Sequence, residues 1–480
     1  MSKNEIKEES TGMDKEELET LYKQSEKKMQ DQGCSASLME AFKLNFFKLG
    51  KGEKGCIPED HLDSIDQLES LDSLEYPENS SLLKEVVVVK LNGGLGTGMG
   101  LDSAKSLLQV KEGNTFLDFI TLQILSLRME SKVGIKFLLM NSFSTSEATM
   151  QYLGRYQSLS QKEKMEFLQS KIPKLSQKNL LPARFKNNPA LEWCPPGHGD
   201  IYISLKESGL LDELLDSGVK YMFVSNSDNL GATLDGRILT YFAKQGLDFM
   251  MEVCQRTSSD RKGGHLAKRK KAGLLLRETA QCLPEDEEAF QDIEKHSYFN
   301  TNNLWVRLEK LKETMEANGG ILPLPLICNS KTVDPTDKQS EKVWQLEGAM
   351  GAAIECFDRS AALLVPRRRF APVKTTSDLL VVRSDAYEIT TDNCLNLAES
   401  CKGVPPKVEL DSCYKLIADF ESYFSKGVPS LKFCKNLWVI GKVNFATGVV
   451  IKGNVKIINE TDEVKTLAAG LYRDQEITLS

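Results

Sequence analysis

An α/β fold is what the sequence predicts: a doubly wound domain entered through polar helices and followed by a short parallel β-helix. Three observations carry this expectation. The run Val86-Val87-Val88-Val89 is continuous and β-branched, as in a strand buried on both faces, and it ends in a glycine-rich loop. Beyond that loop, helical spacing gives way to further short apolar runs, the alternation of a doubly wound sheet. Near the C-terminus the apolar residues recur every six positions.

The 480 residues correspond to about three domains at roughly 150 residues each. Residues 1–84 read as a helical N-terminal segment. Leu18, Leu21, Leu38, Met39 and Phe42 suggest amphipathic helices, and Leu68 to Ser81, acidic and Ser-bearing, reads as a linker. Residues 85–400 form the α/β domain. In it, Leu117, Ile120, Ile124 and Leu127 recur at helical spacing behind Thr115, a plausible cap. Ile135 to Met140 reads as a second strand, Ser144 to Tyr156 as a second helix, and Tyr221 to Val224 as a strand ending at Ser225-Asn226-Ser227-Asp228-Asn229. Sheets of this kind bind ligands outside the carboxyl ends of their strands.

Residues 401–480 form the third part. Leu431, Leu437, Val443, Val449 and Val455 fall six apart, as do Phe433, Val439, Phe445, Ile451 and Ile457. Two interleaved series at that period predict a parallel β-helix, with Gly441, Gly448 and Gly453 at the corners. Its last coil is either capped by Thr461 to Ser480 or open to another subunit, so self-association through this domain is an open expectation.

Composition excludes several classes. With 61 Lys and Arg against 68 Asp and Glu, the net charge is −7, against the positive balance of a duplex nucleic-acid binder. No apolar run approaches the ~18–20 residues of a membrane span, and Met1 to Glu19 lacks a signal-peptide core, so a cytoplasmic location is expected. The eleven cysteines show no CxxC pair, which speaks against a zinc ribbon or a dithiol redox motif.

The loop after the first strand runs Leu91-Asn92-Gly93-Gly94-Leu95-Gly96-Thr97-Gly98-Met99-Gly100-Leu101-Asp102-Ser103-Ala104-Lys105-Ser106. Five glycines in eight residues expose backbone N–H groups, as a phosphate cradle requires, and Lys105 closes the loop with a cation. A dinucleotide fingerprint starting at Gly94 needs glycine where Met99 stands. A Walker A loop needs glycines at Met99 and Ala104. The loop is therefore phosphate-directed without belonging to either class; the alternative is a merely tight turn.

Lys90 to Ser106 resembles the nucleotide-binding signature of the UDP-glucose pyrophosphorylases, the UTP–glucose-1-phosphate uridylyltransferases. In the same order come Leu139-Met140-Asn141-Ser142-Phe143, Gln169-Ser170, Pro195-Pro196-Gly197-His198-Gly199-Asp200, Asn226-Ser227-Asp228-Asn229, Lys262-Gly263-Gly264, Phe299 to Trp305, and Pro372 to Leu379. The resemblance implies a Rossmann-like, GT-A-like nucleotidyltransferase with a mixed sheet and helices on both faces, and a left-handed β-helix. It implies attack by glucose 1-phosphate on the α-phosphorus of UTP, giving UDP-glucose and pyrophosphate. The nucleophile is already an anion, so catalysis reduces to alignment and charge neutralisation.

By the same resemblance, Leu91, Asn92, Gly93 and Gly94 contact the nucleotide and Lys105 the triphosphate. Gln169 and Gly197 read the uracil edge, and Asp228 binds Mg2+. His198, Asn226 and Ser227 position the sugar phosphate, and Glu278 and Asn300 meet sugar hydroxyls. Lys374 stabilises the transferring phosphoryl group. Each has a plainer alternative: Asp228 as a loop cap, His198 as a structural histidine, Glu278 as a solvated strand end, and Gln169 as the surface of a helical polar stretch. Two departures from the family pattern stand out. Ala104 replaces a frequent proline and is expected to hold the loop geometry less well. Cys194 replaces an aromatic residue, either as a redox-sensitive thiol or as an inert buried one.

Lys268-Arg269-Lys270-Lys271 reads as an exposed β-turn rather than a nucleic-acid patch, and Arg367-Arg368-Arg369 as cleft potential or a solvated run. None of His61, His198, His265 and His296 forms an HxH pair, against a covalent uridylyl-histidine route, and no DxD occurs, against a metal-dependent glycosyltransferase. Within the family, a broader UDP-sugar or a UDP-N-acetylglucosamine pyrophosphorylase stays open. A non-catalytic UDP-sugar sensor would be expected to lack Lys105, Asp228 or Lys374.

Overall fold

The computed structural model describes residues 12–159, 164–270 and 272–479; the first eleven residues, Lys271 of the basic run and Ser480 lie outside them. The chain groups into two units, each assembled from three separate segments. One unit comprises Met1–Ser73, Phe167–Met222 and Tyr241–Leu364; the other comprises Leu74–Glu166, Phe223–Thr240 and Val365–Ser480.

In the first unit the lead-in forms helices Lys15–Gln30 and Ala36–Gly50, started by the side-chain caps Asp14 and Ser35. Leu18, Tyr22, Met29, Phe42 and Phe46 form their buried stripe, whereas Leu21 and Met39 lie at its edge. Gly50 permits a close crossing, since a Cβ there would lie 2.1 Å from Leu18 Cδ2.

The main sheet of this unit is mixed. Phe249–Gln255 runs antiparallel to Tyr298–Arg307 and parallel to Ser360–Leu364. A bulge between Glu252 and Val253 interrupts the first pairing. There the buried Glu252 side chain accepts from Asn303 Nδ2 at 3.1 Å and Trp305 Nε1 at 2.9 Å, so a polar group inside the sheet is hydrogen-bonded. The basic run lies at the tip of the hairpin between His265–Arg269 and Leu274–Arg277, with Lys268 and Lys270 exposed, as expected of a turn.

The second unit contains a β–α–β step. Val86–Asn92, buried along nearly its whole length, pairs in parallel with Lys136–Asn141, and helix Phe116–Ser131 connects them. Thr115 caps that helix in a reciprocal box with Asp118. The expected second helix is shorter than predicted, Ser146–Leu153.

The C-terminal strands are parallel: Lys407–Leu410, Ser430–Ile440, Val449–Asn459 and Gly470–Leu479 form one sheet, and Val443–Phe445 pairs with Lys465–Leu467 in another. Nine of the ten residues of the two six-residue series are buried. Phe433 is the exception, at 48% exposure, because the register shifts on either side of it turn it outward and bury Cys434 instead. Gly453 is not a corner. It lies inside Val449–Asn459 at a register shift, with φ 69°, where a Cβ would meet Asp474 Oδ1 at 2.0 Å. The terminal segment adds a further parallel strand rather than only a cap.

Candidate functional site

Two clusters collect the residues singled out in the sequence, one in each unit. In the second unit the strand Val86–Asn92 delivers the chain to the glycine-rich loop. Gly96 and Gly100 adopt φ of 63° and 75°, and the loop closes where Lys105 N donates to Gly94 O at 3.1 Å. Ala104 is fully buried at φ −55°, within the range a proline ring would impose, so the loop keeps that geometry without the ring. Gly94 and Gly98 are exposed, with no atom within 4 Å of a notional Cβ, which leaves their backbone open to a ligand.

Lys105 Nζ reaches Asp228 Oδ2 at 2.8 Å, with both side chains mostly buried. Asp228 follows strand Tyr221–Asn226; its Oδ1 is buried without a protein hydrogen-bond partner. A buried carboxylate oxygen without a donor is costly, and a hard cation is one way to satisfy it. Asn226 ends the strand half-buried. The segment before Lys374 is held against this loop. Val373 N donates to Asp228 O at 3.2 Å, Asn229 Nδ2 donates to Arg369 O, and Asn229 Oδ1 accepts from Ala371 N. Lys374 itself is exposed, with Nζ in no ion pair among the described residues; Asp378 fixes its backbone by accepting from Lys374 N at 2.9 Å.

Other residues expected at the nucleotide also make hydrogen bonds within the protein. The Asn92 side chain points inward, donating to Asn141 Oδ1 at 2.7 Å and Thr149 Oγ1 at 3.0 Å, while its Oδ1 accepts from the buried Ser227 hydroxyl. Leu91 O accepts from Ser227 N, and Gly93 O accepts from Ser142 Oγ. Glu166, absent from the sequence reading, accepts from Asn141 Nδ2 at 2.6 Å and from Ser146 Oγ. No local sequence signal marks it. Arg369 is buried and donates to Thr233 O at 3.0 Å, which speaks against the solvated alternative for that residue of the run.

The first unit holds the other cluster. Gln169 does not lie in a helix. It follows strand Glu166–Leu168, where Phe167 is buried between two more exposed residues, and its Nε2 donates to Gly197 O at 2.9 Å. Gly197 has φ 80°, and a Cβ there would lie 2.5 Å from Gly348 O. The turn is laced to that neighbour, since Gly348 N donates to Pro196 O and Gly199 N donates to Gly348 O. His198 Nδ1 accepts from Met350 N at 2.9 Å, so in the neutral ring the proton sits on Nε2, making that nitrogen a donor.

Glu278 caps the short helix Thr279–Gln281 in a reciprocal box with Gln281, and its carboxylate lies 2.5 Å from a notional Gly264 Cβ. Gly264 O accepts from Asn300 N, so glycine at 264 lets Glu278 and Asn300 share one backbone corner. Asn300 Nδ2 donates to Asn302 Oδ1 at 2.9 Å. Cys194 is buried, and burial pushes its thiol up to about 12, which supports the inert reading rather than the redox-sensitive one.

A glycine-rich loop after a buried parallel strand, an acid–lysine pair at its mouth and a second lysine on a docked segment define a phosphate-handling α/β protein of the nucleotidyltransferase type. The family model for UTP–glucose-1-phosphate uridylyltransferase matches residues 40–452. The chain belongs to that family. It is 43% identical over 390 residues to the UTP–glucose-1-phosphate uridylyltransferase of Hordeum vulgare, covering 81% of this chain and 79% of that one. It is also 43% identical over 383 residues to that of Solanum tuberosum, covering 79% of this chain and 78% of that one. Among solved structures, it is similar to a variant of the UDP-glucose pyrophosphorylase of Leishmania major in complex with UDP-glucose. There the TM-score is 0.91 and the identity 49%, covering 96% of this chain and 99% of that one.

Proposed function

We propose that this chain transfers the uridylyl group of UTP to glucose 1-phosphate, giving UDP-glucose and pyrophosphate. The observation that carries the reading is the Lys105–Asp228 pair, set beside the open glycine loop and held to the Lys374 segment through Asp228's own carbonyl. Such groups neutralise and align phosphates, and an anionic sugar phosphate needs no covalent nucleophile from the protein.

In this reading Gly93, Gly94 and the Leu91 backbone line the nucleotide, and Lys105 turns from Asp228 to the triphosphate. Asn92 and Ser227 act through the backbone they hold. Gln169 and Gly197 present an amide and a carbonyl to the uracil edge. His198 offers Nε2–H to the sugar phosphate, with Asn226 beside that phosphate, and Glu278 and Asn300 take sugar hydroxyls. Lys374 steadies the transferring phosphoryl group.

The residues fit Mg2+. Asp228 Oδ1 is a hard oxygen without a protein donor, and this ion commonly takes one or two carboxylates plus phosphate oxygens and water. Held there, such an ion would supply positive charge to offset that of the phosphate oxygens. We further propose a left-handed β-helix at 401–480, an architectural division at 84/85 and 400/401, self-association through the C-terminal part, and a cytoplasmic location. Supporting the first is the run of parallel pairings. Supporting the last is that no described helix is long and apolar enough to cross a membrane.

The test is pyrophosphate release from UTP against a panel of sugar 1-phosphates, with and without Mg2+. The reading expects release with glucose 1-phosphate. Release with N-acetylglucosamine 1-phosphate alone would overturn the sugar assignment, and release with none of the sugars would overturn the activity.

A further inference from the structure

The helix Thr376–Arg383 begins just past Lys374 and is about 12 Å long at the usual rise per residue. Its first turn carries Lys374 with it, because Asp378 Oδ2 accepts from Lys374 N at 2.9 Å and from Thr375 N at 2.8 Å. Thr376, Leu379, Leu380, Val381 and Val382 are buried, so the helix sits in close-packed surroundings as one body. The place of Lys374 therefore depends also on what holds the far end.

That end is gripped by a lysine from elsewhere in the chain. A helix leaves its last four carbonyls without a donor of its own. Here Ser384 N donates to Leu380 O at 3.0 Å, and Ser384 Oγ donates to Val381 O at 2.8 Å. Lys111 Nζ serves the other two, reaching Val382 O and Arg383 O at 3.2 Å each, and adds Ser384 O at 2.5 Å. An ammonium has three donors to spend, and a cation suits the negative end of the helix dipole. Burial lowers the pKa of Lys111, while Glu112, Asp385 and Glu388 favour its charged form.

A second tie runs the other way, from Arg383 Nη2 to Gln109 O at 2.8 Å. Gln109–Lys111 is the short strand that follows the glycine-rich loop, and Leu108 and Val110 anchor it in the core. One stretch of chain thus presents Lys105 at its start and holds the helix of Lys374 at its end.

We propose that Lys111 is a positioning residue for the transfer: through the helix it grips, it fixes where Lys374 stands relative to Lys105. The inference rests on the role given to Lys374 above, and not on the identity of the sugar.

The experiment compares the full-length parent with Lys111→Met, Lys111→Arg, Lys374→Ala and the Lys111→Met/Lys374→Ala double variant; Lys111→Gln serves if the methionine variant does not fold. Lys111→Met should lower kcat about tenfold and leave KM for UTP within about twofold, since Arg383 still ties the helix to Gln109. Lys111→Arg keeps the charge and the donors and should recover kcat to within about threefold of the parent. In the Lys374→Ala background, Lys111→Met should change kcat less than about twofold, as expected when one residue acts through the other. Amide exchange read by mass spectrometry needs no turnover. Residues 371–376 should exchange about tenfold faster in Lys111→Met and at the parent rate in Lys111→Arg, whereas a purely local cap would speed only 381–386. A parent that releases no pyrophosphate would sink the reaction and the catalytic part of this proposal, while faster exchange at 371–376 would still uphold the grip. Unchanged kcat in Lys111→Met, an equal loss with and without Lys374, no recovery with arginine, or unchanged exchange at 371–376 would each overturn the proposal.

Discussion

Replacing Gly197 by alanine tests whether the His198 turn is held by backbone geometry. At φ 80° and ψ 174° the residue occupies a region open essentially to glycine alone. An alanine there costs about 1–3 kcal/mol in backbone strain. The new Cβ would also lie 2.5 Å from Gly348 O and 2.9 Å from Gly348 N, main-chain atoms that cannot rotate aside. Overpacking of that kind adds about 1–3 kcal/mol. The sum, about 2–6 kcal/mol, is a large fraction of a total stability of roughly 5–15 kcal/mol. Two measurements separate the outcomes: the urea midpoint followed by tryptophan fluorescence, and KM for UTP. Gly197→Ala should lower the midpoint and, because Gly197 O is the acceptor for Gln169, raise KM. Gly94→Ala is the control, since that glycine has no positive φ and open space at its Cβ. It should keep the parent midpoint and raise only KM. A Gly197→Ala protein with the parent's midpoint and KM would refute the reasoning.

Other outcomes follow from the same geometry. Lys374→Ala should lose about 10²–10³-fold in kcat, the scale of one lost oxyanion donor, with stability within ~0.5 kcal/mol, since its ammonium makes no ion pair among the described residues; steady-state kinetics and a melting curve check both. Glu59 is partly buried, which alone would raise its carboxyl, but bonds from Lys295, His296 and Arg277 outweigh this and hold it below the usual value. Its stabilisation is therefore full above the unfolded carboxyl range, ~4.3, and is lost as pH falls through the lower folded value. The urea midpoint should fall more steeply with acid in the parent than in Glu59→Gln. Iodoacetamide at pH 8 should leave Cys194 unlabelled in the folded protein and label it after urea, as read by peptide mass. Chelation of divalent cations should abolish turnover, with Mg2+ restoring it, as measured by pyrophosphate release.

Much of this was legible because the signals were local. Val86 to Val89 marks a strand by composition, and Thr115 ahead of the helical spacing of Leu117, Ile120 and Ile124 marks a helix start. The six-residue period carried the parallel strands into view. What failed depended on partners distant in the chain. Phe433 fits the period but turns outward at a register shift, which only pairing reveals. Gln169 sits in a polar stretch that pattern reads as helical, whereas the chain is extended there and Leu139 N donates to Met165 O. Glu166 enters only through the side chains of Asn141 and Ser146, which no pattern around it announces.

The three-segment make-up of each unit bears on how the protein is born at the ribosome. The chain passes between the two groupings at 73/74, 166/167, 222/223, 240/241 and 364/365. The second unit therefore stays incomplete until its third segment, Val365–Ser480, emerges. Asp228 is made long before Val373, whose N–H closes on its carbonyl, so no unfinished chain carries the assembled phosphate-handling corner. Early termination would yield a product with the glycine loop and its acid but no docked lysine segment, and with strand surface exposed for as long as synthesis lasts. Such a chain depends on chaperones during translation more than one whose units follow each other in sequence.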